Sequence, residues 1–263
     1  MSQGLRTKKT TKDRIGLIGH VVANYPSPEA ARSMIRNMVE AGVAVVEIQI
    51  PFSEPAADGP VFMAANHYAL ENGVTVNDAF TLMHEASKAH PNTDFVFMTY
   101  LNIVYKAGYA AFVKRAAESG ARGLIVPDLP LEYVDRLDQE AKVFALDNIR
   151  LIAPNTASDR LALICKSARG FVYAVARSGV TGGATAVSTQ LSGYTSKISA
   201  LTPTPIGLGF GIRSPEDIMG LKGVSDYAII GTAALQAWQT GGDATHRDFW
   251  KKIAKAANYS ENS

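Results

Sequence analysis

Two carboxylic acids, eleven positions apart, are the residues of this sequence best suited to acid–base chemistry. Glu47 lies in the apolar run VAVVEIQIPF, and Asp58 lies in the loop that follows, PFSEPAADGP. Side chains of a strand alternate between two faces, so Glu47 shares a face with Val45 and Gln49, while the opposite face is wholly aliphatic. An unpaired charge that points into a protein interior is costly, which predicts a raised pKa for Glu47. Two carboxyl groups in different surroundings can hold different protonation states at neutral pH.

Each of the two acids also has a structural explanation. Glu47 could be one half of an ion pair inside the fold, and Asp58 stands before Gly59, where an aspartate commonly shapes a turn. The residue types alone leave both explanations open.

Glycine-containing segments follow the last three strand-like runs: RSGVTGGA, GLGFGIRSPED and IIGTAAL. Backbone N–H groups after late strands of a barrel, together with a helix N-terminus, form a recurrent phosphate site. Gly211 and Gly231 would let the main chain approach an anion, and Thr232 would add a hydroxyl donor at a helix start. Tight loop packing is the alternative explanation.

Other reactive residue types indicate little. The five histidines show no metal-ligand spacing, so no metal is predicted, and no lysine falls within a predicted strand where Schiff-base chemistry could use it. The single cysteine, Cys165, cannot form a disulfide within one chain, which fits a reducing compartment such as the cytoplasm. We expect no cofactor in this chain.

The elements that must position these residues alternate regularly along the chain. Eight β-rich apolar runs are separated by helical patterns, which predicts right-handed βαβ units and a parallel sheet. An open doubly wound sheet is less favoured, because the turn after the first run, VVANYPSPE, contains no glycine. The prediction is therefore an α/β protein, a (β/α)₈ TIM barrel. The predicted strands are Ile15–Val22, Val43–Ile50, Phe95–Tyr100, Gly123–Val126, Arg150–Ala153, Phe171–Val175, Pro205–Gly209 and Tyr227–Ile230.

Composition agrees with one barrel domain over residues 1–263. The chain has 47% hydrophobic residues, 19% charged residues and a net charge of +2, which does not indicate nucleic-acid binding. No apolar run approaches the roughly 20 residues that cross a bilayer. The first dozen residues and about residues 257–263 are expected to be frayed.

Several segments in order resemble one known family. They are VEIQIPFSEPAADGP, MTYLNIV, GLIVPDLP, APNTASDR, GFVYAVARSGVTG, GFGIRSPED and IIGTAAL, and the similarity runs from about residue 21 to residue 235. The chain resembles the tryptophan synthase alpha subunits, whose combination of an acidic strand residue, PFS-x-P-x-ADGP and RSGVTG is highly specific. The resemblance implies a lyase that cleaves indole-3-glycerol phosphate to indole and glyceraldehyde 3-phosphate. It also implies a partner, a pyridoxal-phosphate-containing beta subunit, in an alpha2beta2 heterotetramer.

The resemblance also implies roles for individual residues. Glu47 matches the general acid/base, and Asp58 matches the carboxylate that holds the indole N–H. The other matches are Tyr173, Tyr100, Phe210 and Thr181 around the substrate, Gly182, Gly211, Gly231 and Thr232 around the phosphate, and Glu54, Asn102 and Asp128 at the subunit interface or in organising the site.

Three departures from the family pattern fall near the site and the expected interface. The chain has Ala23-Asn24-Tyr25 where the family commonly has GDP beginning its first loop, Glu54 in place of the usual Asp, and Met63 in place of the usual Gln. Two other functions therefore stay open on sequence alone: a stand-alone lyase that releases indole, and a catalytically weak activator of the beta subunit.

Overall fold

The computed structural model describes residues 4–176, 184–209 and 211–258, and of residues 184–189 it describes the backbone only. Within these ranges, eight parallel strands pair in sequence order and the last pairs with the first, which closes a barrel. The predicted (β/α)₈ fold is confirmed. The strands are β1 (Gly16–Val22), β2 (Val45–Gln49), β3 (Asp94–Met98), β4 (Gly123–Ile125), β5 (Asp147–Ile152), β6 (Val172–Val175), β7 (Ile206–Gly209) and β8 (Tyr227–Ile230).

Helices surround the barrel. None of the helices in the described ranges is long and apolar enough to cross a membrane. They are α1 (Pro28–Glu40), α2 (Pro60–Glu71), α3 (Val76–Ala89), α4 (Leu101–Ala107), α5 (Tyr109–Glu118), α6 (Val134–Val143), α7 (Ser158–Ser167), α8 (Ala184–Ser199), α9 (Pro215–Leu221) and α10 (Thr232–Asn258).

The observed strands begin and end within three residues of the predicted ones, and β5 differs most, since it begins at Asp147 and not at Arg150. The spacing of apolar residues over 131–146 predicts one helix, but the structure divides this stretch into a 3₁₀ turn, Leu131–Tyr133, and helix α6, which ends at Val143. Ala145 has a φ of 52°, a left-handed conformation that a right-handed α-helix cannot include. The helix therefore ends before the apolar pattern does.

Alternation along the strands divides the apolar residues into two layers. Val46 and Ile48 pack in the large cluster between the strands and the helices, whereas Val45 packs inside the barrel. The inner cluster contains Ile18, Val45, Val96, Met98, Ile125, Ile149, Phe171, Tyr227 and Ile229. Since Glu47 lies two positions after Val45, strand geometry directs its carboxyl group inward, as the pattern predicts.

The N-terminal segment, residues 5–10, lies across the end of the barrel where the strands begin. The backbone N–H of Leu5 donates to Asp147, that of Arg6 to Asp94, that of Lys8 to the Tyr227 hydroxyl, and that of Thr10 to Asp226. The polar sequence predicts a frayed start, but hydrogen bonds to side chains at the strand starts hold residues 5–10 in place.

Asp94 makes several of the contacts that hold the N-terminal segment against the barrel. It is buried and accepts hydrogen bonds from the backbone and side chain of Arg6, and its Oδ1 lies 3.0 Å from Nε of Arg122. The side chains of Arg6 and Arg122 are 42% and 24% exposed, so water can reach them, but removing the carboxylate takes away the charged acceptor of the Arg6 backbone N–H and leaves a space in the interior.

We predict that Asp94→Ala lowers the free energy of unfolding by about 2 kcal/mol, measured by urea denaturation, because it removes charge-assisted hydrogen bonds to a buried carboxylate. The matched control is Asp248→Ala, which breaks an exposed ion pair with Lys252 and should cost under about 0.5 kcal/mol. Equal losses in the two variants would contradict the assigned role of Asp94.

Candidate active site

A cavity of about 190 Å³ opens at the end of the barrel where the strands finish. Residues from strands β1, β3, β4, β5, β6, β7 and β8 line it, together with the loop after β2. This is the end at which TIM-barrel enzymes place their active sites. Its polar lining residues in the described part of the chain include His20, Asp58, Tyr173 and Thr232.

Glu47 lies behind the cavity wall, fully buried. Neither of its carboxyl oxygens has a partner at hydrogen-bond geometry among the described residues. Burial, with a smaller contribution from the charge of Asp58, raises the pKa of Glu47 to about 8. A pKa of about 8 favours the protonated form at pH 7, which argues against the ion-pair explanation.

His20 and Gln49 surround this acid. The residues His20 and Glu47 are register partners in adjacent strands, and Nδ1 of His20 lies 3.3 Å from Oε2 of Glu47. On the other side of the ring, Nε2 of His20 is 3.0 Å from Oε1 of Gln49. Burial lowers the pKa of His20 to about 4, and the hydrogen bond with Gln49 only partly offsets it, so the imidazole is neutral at pH 7.

Asp58 stands in contrasting surroundings at the edge of the same cavity. Its Oδ2 accepts a 2.6 Å hydrogen bond from Nε2 of Gln49 and a 3.2 Å hydrogen bond from the hydroxyl of Tyr100. Burial raises the pKa of Asp58, while both hydrogen bonds lower it by stabilising the ionised form. The two acids thus differ as predicted: Asp58 has donors for a negative charge and Glu47 has none.

The two predicted tyrosines both border this pair of acids. Tyr100 is buried, stacks on Phe52 with 4.9 Å between ring centroids, and accepts from the backbone N–H of Ala57. Tyr173 lines the cavity from strand β6. Burial and the nearby acids raise the pKa of both hydroxyl groups, so both stay protonated.

Gly211, Gly231 and Thr232 come together in the lining of the same cavity, as the glycine pattern predicts. Gly211 has a φ of 73°, and a Cβ atom at Gly231 would stand 2.9 Å from the ring of Phe62. Helix α10 begins at Thr232, so its first N–H groups are unpaired within the helix. A helix N-terminus of this kind, facing a cavity, favours an anion.

The neighbouring helix α9 is different, because its N-terminus is already occupied. The hydroxyl of Ser214 accepts from the backbone N–H of Asp217, and the carboxylate of Asp217 accepts from the N–H groups of Arg213 and Ser214. This negative carboxylate opposes a second anion there, so α10 is the better candidate for binding a phosphate group.

The remaining predicted residues surround the mouth of the barrel. Asp128 is exposed and accepts from the backbone N–H of Leu101 at the start of helix α4, which fixes the segment that carries Tyr100. Asn102 and Glu54 are also exposed. These positions suit an organising or interface role rather than direct chemistry.

The three departures from the family pattern lie at the same end. Met63 is 46% exposed, and the ring of Tyr25 packs edge-on against Tyr68 and accepts a hydrogen bond from Gln239. Neither Met63 nor Tyr25 touches the two acids in any contact of the described residues.

Three predicted residues, Thr181, Gly182 and Phe210, lie outside the described residues. Conversely, the sequence analysis did not assign roles to His20 and Gln49, which the structure places between the two acids. The signal was available for Gln49, since period two puts it on the face of Glu47. For His20 the signal was the alternation in β1, because His20 lies two positions after Ile18 and so shares its inward face.

These features describe a barrel of the kind found in enzymes, with a buried acid, a hydrogen-bonded aspartate and a helix start suited to an anion around one cavity. The family model described as "Tryptophan synthase alpha chain" matches residues 6–262. The chain therefore belongs to the tryptophan synthase alpha chain family, which comprises lyases that cleave indole-3-glycerol phosphate.

Individual relatives agree. The chain is 41% identical over 238 residues to the tryptophan synthase alpha chain of Syntrophotalea carbinolica, covering 90% of this chain and 93% of that one. It is 43% identical over 232 residues to that of Desulfotalea psychrophila, covering 88% and 91%. Among solved structures, tryptophan synthase from M. tuberculosis superposes with a TM-score of 0.86 at 30% identity, covering 95% of this chain and 94% of that one.

Because the pKa of Glu47 is raised in the folded protein, the free energy of unfolding depends on pH. The folded protein holds a proton that the unfolded chain releases near its ordinary value of 4.5, so Glu47 costs stability increasingly as pH rises from about 4.5 to about 8. We predict that Glu47→Gln, which stays neutral, gains stability relative to the unmodified protein over this interval. The gain grows as pH rises through this interval and levels off above about 8.

Urea unfolding at pH 5 and at pH 8.5 checks this prediction. The difference between the two pH values is the informative quantity, because it cancels any packing effect of the amide. A gap between the variants that does not widen with pH would show that Glu47 is already ionised in the folded protein.

Proposed function

We propose that Glu47 is the general acid/base of indole-3-glycerol phosphate cleavage in this chain, and that Asp58 is its electrostatic partner. The observation that carries the proposal is a fully buried carboxyl group with a pKa near 8 immediately behind the cavity. A catalytic acid works best when its pKa lies near the working pH. Because Glu47 is fully buried, its carboxyl must turn toward the cavity to reach a substrate.

The retro-aldol reaction requires the proton movements that such an acid supports. A proton adds to C3 of the indole, the bond between C3 and the side-chain carbon breaks, and the adjacent hydroxyl loses its proton to become an aldehyde. Glu47 can give the first proton and then, as a carboxylate, take the second. The proton count is unchanged after one cycle.

Asp58 serves the other end of the indole ring. Protonation at C3 puts positive charge on the ring nitrogen, and an ionised carboxylate that accepts its N–H stabilises that charge. The hydrogen bonds from Gln49 and Tyr100 fix this carboxylate in place. Tyr173 and Phe210 are proposed to border the ring, and Thr181 to lie in the loop over the substrate.

The phosphate group of the substrate is proposed to bind at Gly182, Gly211, Gly231 and Thr232. The start of helix α10 supports this, since it offers unpaired N–H groups and the positive end of a helix dipole. Thr232 is exposed at that start and adds a hydroxyl donor.

The product indole is proposed to pass to a beta subunit that carries pyridoxal phosphate, in an alpha2beta2 assembly. Family membership supports this partner, and Glu54, Asn102 and Asp128 are exposed around the mouth of the barrel, where a partner can reach them. This chain itself is proposed to hold no cofactor and to work in the cytoplasm, where its single cysteine would stay reduced.

The decisive experiment measures indole and glyceraldehyde 3-phosphate formed from indole-3-glycerol phosphate by the purified chain, with and without a tryptophan synthase beta protein. We predict that the unmodified chain is active and that beta protein raises its rate. Glu47→Gln should lower kcat by about 10²- to 10⁴-fold while leaving binding of inorganic phosphate intact.

Thr232→Val serves as the complementary variant, because it should weaken phosphate binding and raise KM while the two acids stay in place. Near-normal turnover by Glu47→Gln would reject Glu47 as the acid/base. No turnover in either condition would replace the enzyme with a ligand-sensing activator, and full activity without beta protein would favour a stand-alone lyase.

A further inference from the structure

We propose that His20 and Gln49 form a positioning pair that links the two acids, in which His20 carries its proton on Nε2 and presents the Nδ1 lone pair to Glu47. This inference rests on the proposed function of the site and extends it to two residues to which that function gives no role. Hydrogen bonds run from one acid to the other through these two residues, and the direction of each follows from its donor.

The directions begin at the backbone. The N–H of Ala57 can only donate, so the oxygen of Tyr100 accepts it at 3.2 Å and the hydroxyl proton of Tyr100 is free to point at Asp58. The carboxylate of Asp58 is an acceptor, and its Oδ2 therefore faces the amide nitrogen of Gln49, 2.6 Å away.

This contact determines the orientation of the Gln49 amide. With Nε2 of Gln49 committed to Asp58, the other end of the amide, Oε1, faces His20 at 3.0 Å. A carbonyl oxygen only accepts, so Nε2 of His20 must carry a proton.

The proton on Nε2 determines the other ring nitrogen. Burial keeps the His20 imidazole neutral at pH 7, so it carries one proton in all, and Nδ1 is left with a lone pair. That lone pair lies 3.3 Å from Oε2 of Glu47. It can accept the proton of a neutral carboxyl, whereas it repels a carboxylate.

The pair therefore favours the acid form of Glu47 without locking it. The distance of 3.3 Å is long for a hydrogen bond from a hydroxyl group, and neither oxygen of Glu47 has another partner among the described residues. A proton held this loosely stays available to a substrate. Among the residues that the structure describes, the ionisable groups that face Glu47 are His20 from β1, Asp58 from the loop after β2 and Tyr173 from β6.

Gln49→Met tests the inference, because it keeps the volume but removes both ends of the amide. His20 is then free to move its proton to Nδ1, where it would donate to an ionised Glu47 and stabilise the carboxylate. We expect the pKa of Glu47 to fall by about one unit from its value near 8. If the acid form is required, kcat falls about twofold at pH 7 and about tenfold at pH 9.

Two NMR measurements on the whole chain give the result without turnover. Nitrogen-15 spectra of the histidines report the tautomer, with Nε2–H expected for His20 in the unmodified chain and Nδ1–H gaining population in Gln49→Met. Carbon-13 titration of the carboxyl groups gives the midpoint of Glu47. The Asp58 resonance in the same spectra must stay that of an ionised group above pH 7, which excludes an indirect effect through Asp58.

Asn37→Leu is the matched control. Asn37 is another buried amide between an aspartate and a histidine, since its Nδ2 lies 3.0 Å from Oδ1 of Asp243 and 3.3 Å from Nδ1 of His246, but it lies on helix α1 outside the barrel. The control should lose stability and keep the Glu47 midpoint and the pH profile of kcat unchanged.

The outcomes separate the two proposals. An Nδ1–H tautomer for His20 in the unmodified chain, or a Glu47 midpoint that Gln49→Met leaves in place, overturns the positioning pair whatever the activity. An unmodified chain that shows the expected tautomer and midpoint but does not cleave indole-3-glycerol phosphate overturns the proposed function alone.

Discussion

The burial of one carboxyl group without a charged partner is the constraint on which this site depends. Glu47 points into the barrel from β2, where water is excluded, and the energy of ionising it there exceeds that of keeping its proton. A carboxyl on the surface would be ionised at neutral pH and could not act as an acid. The closed barrel supplies the dry surroundings, and the helix layer keeps the strands in place around them.

The second acid, Asp58, stands in different surroundings within the same barrel. Asp58 follows Glu47 by eleven positions but belongs to a loop, where Gln49 and Tyr100 can donate to it. Burial acts on both acids in the same direction, and the hydrogen-bond donors make the difference between them. A strand-borne acid and a loop-borne acid therefore stand in different surroundings, which suits the two roles proposed for them.

Much of this arrangement followed from the sequence for definite physical reasons. Period-two alternation predicted that Glu47 points inward, and the order of strands placed Gly211, Gly231 and Thr232 on one side of the cavity. The pairing of His20 with Glu47 could not be obtained in this way, because it depends on the register between β1 and β2. Alternation gives the face of a side chain, whereas register gives its neighbour across the sheet. The N-terminal segment escaped prediction for a related reason, since its polar sequence carries no periodicity and its partners are distant acids.

The same N-terminal segment contacts residues that are far from it in the sequence, and this constrains the order in which its contacts can form. Its N–H groups meet Asp94, Asp147 and Tyr227, and the contact from Lys8 to Tyr227 spans 219 positions. A ribosome makes these first residues long before β8 exists. The segment can therefore make its contact with Tyr227 only once β8 is in place in the barrel. The segment is therefore synthesised first, but its hydrogen bonds to Asp226 and Tyr227 form only after the last strand has been made.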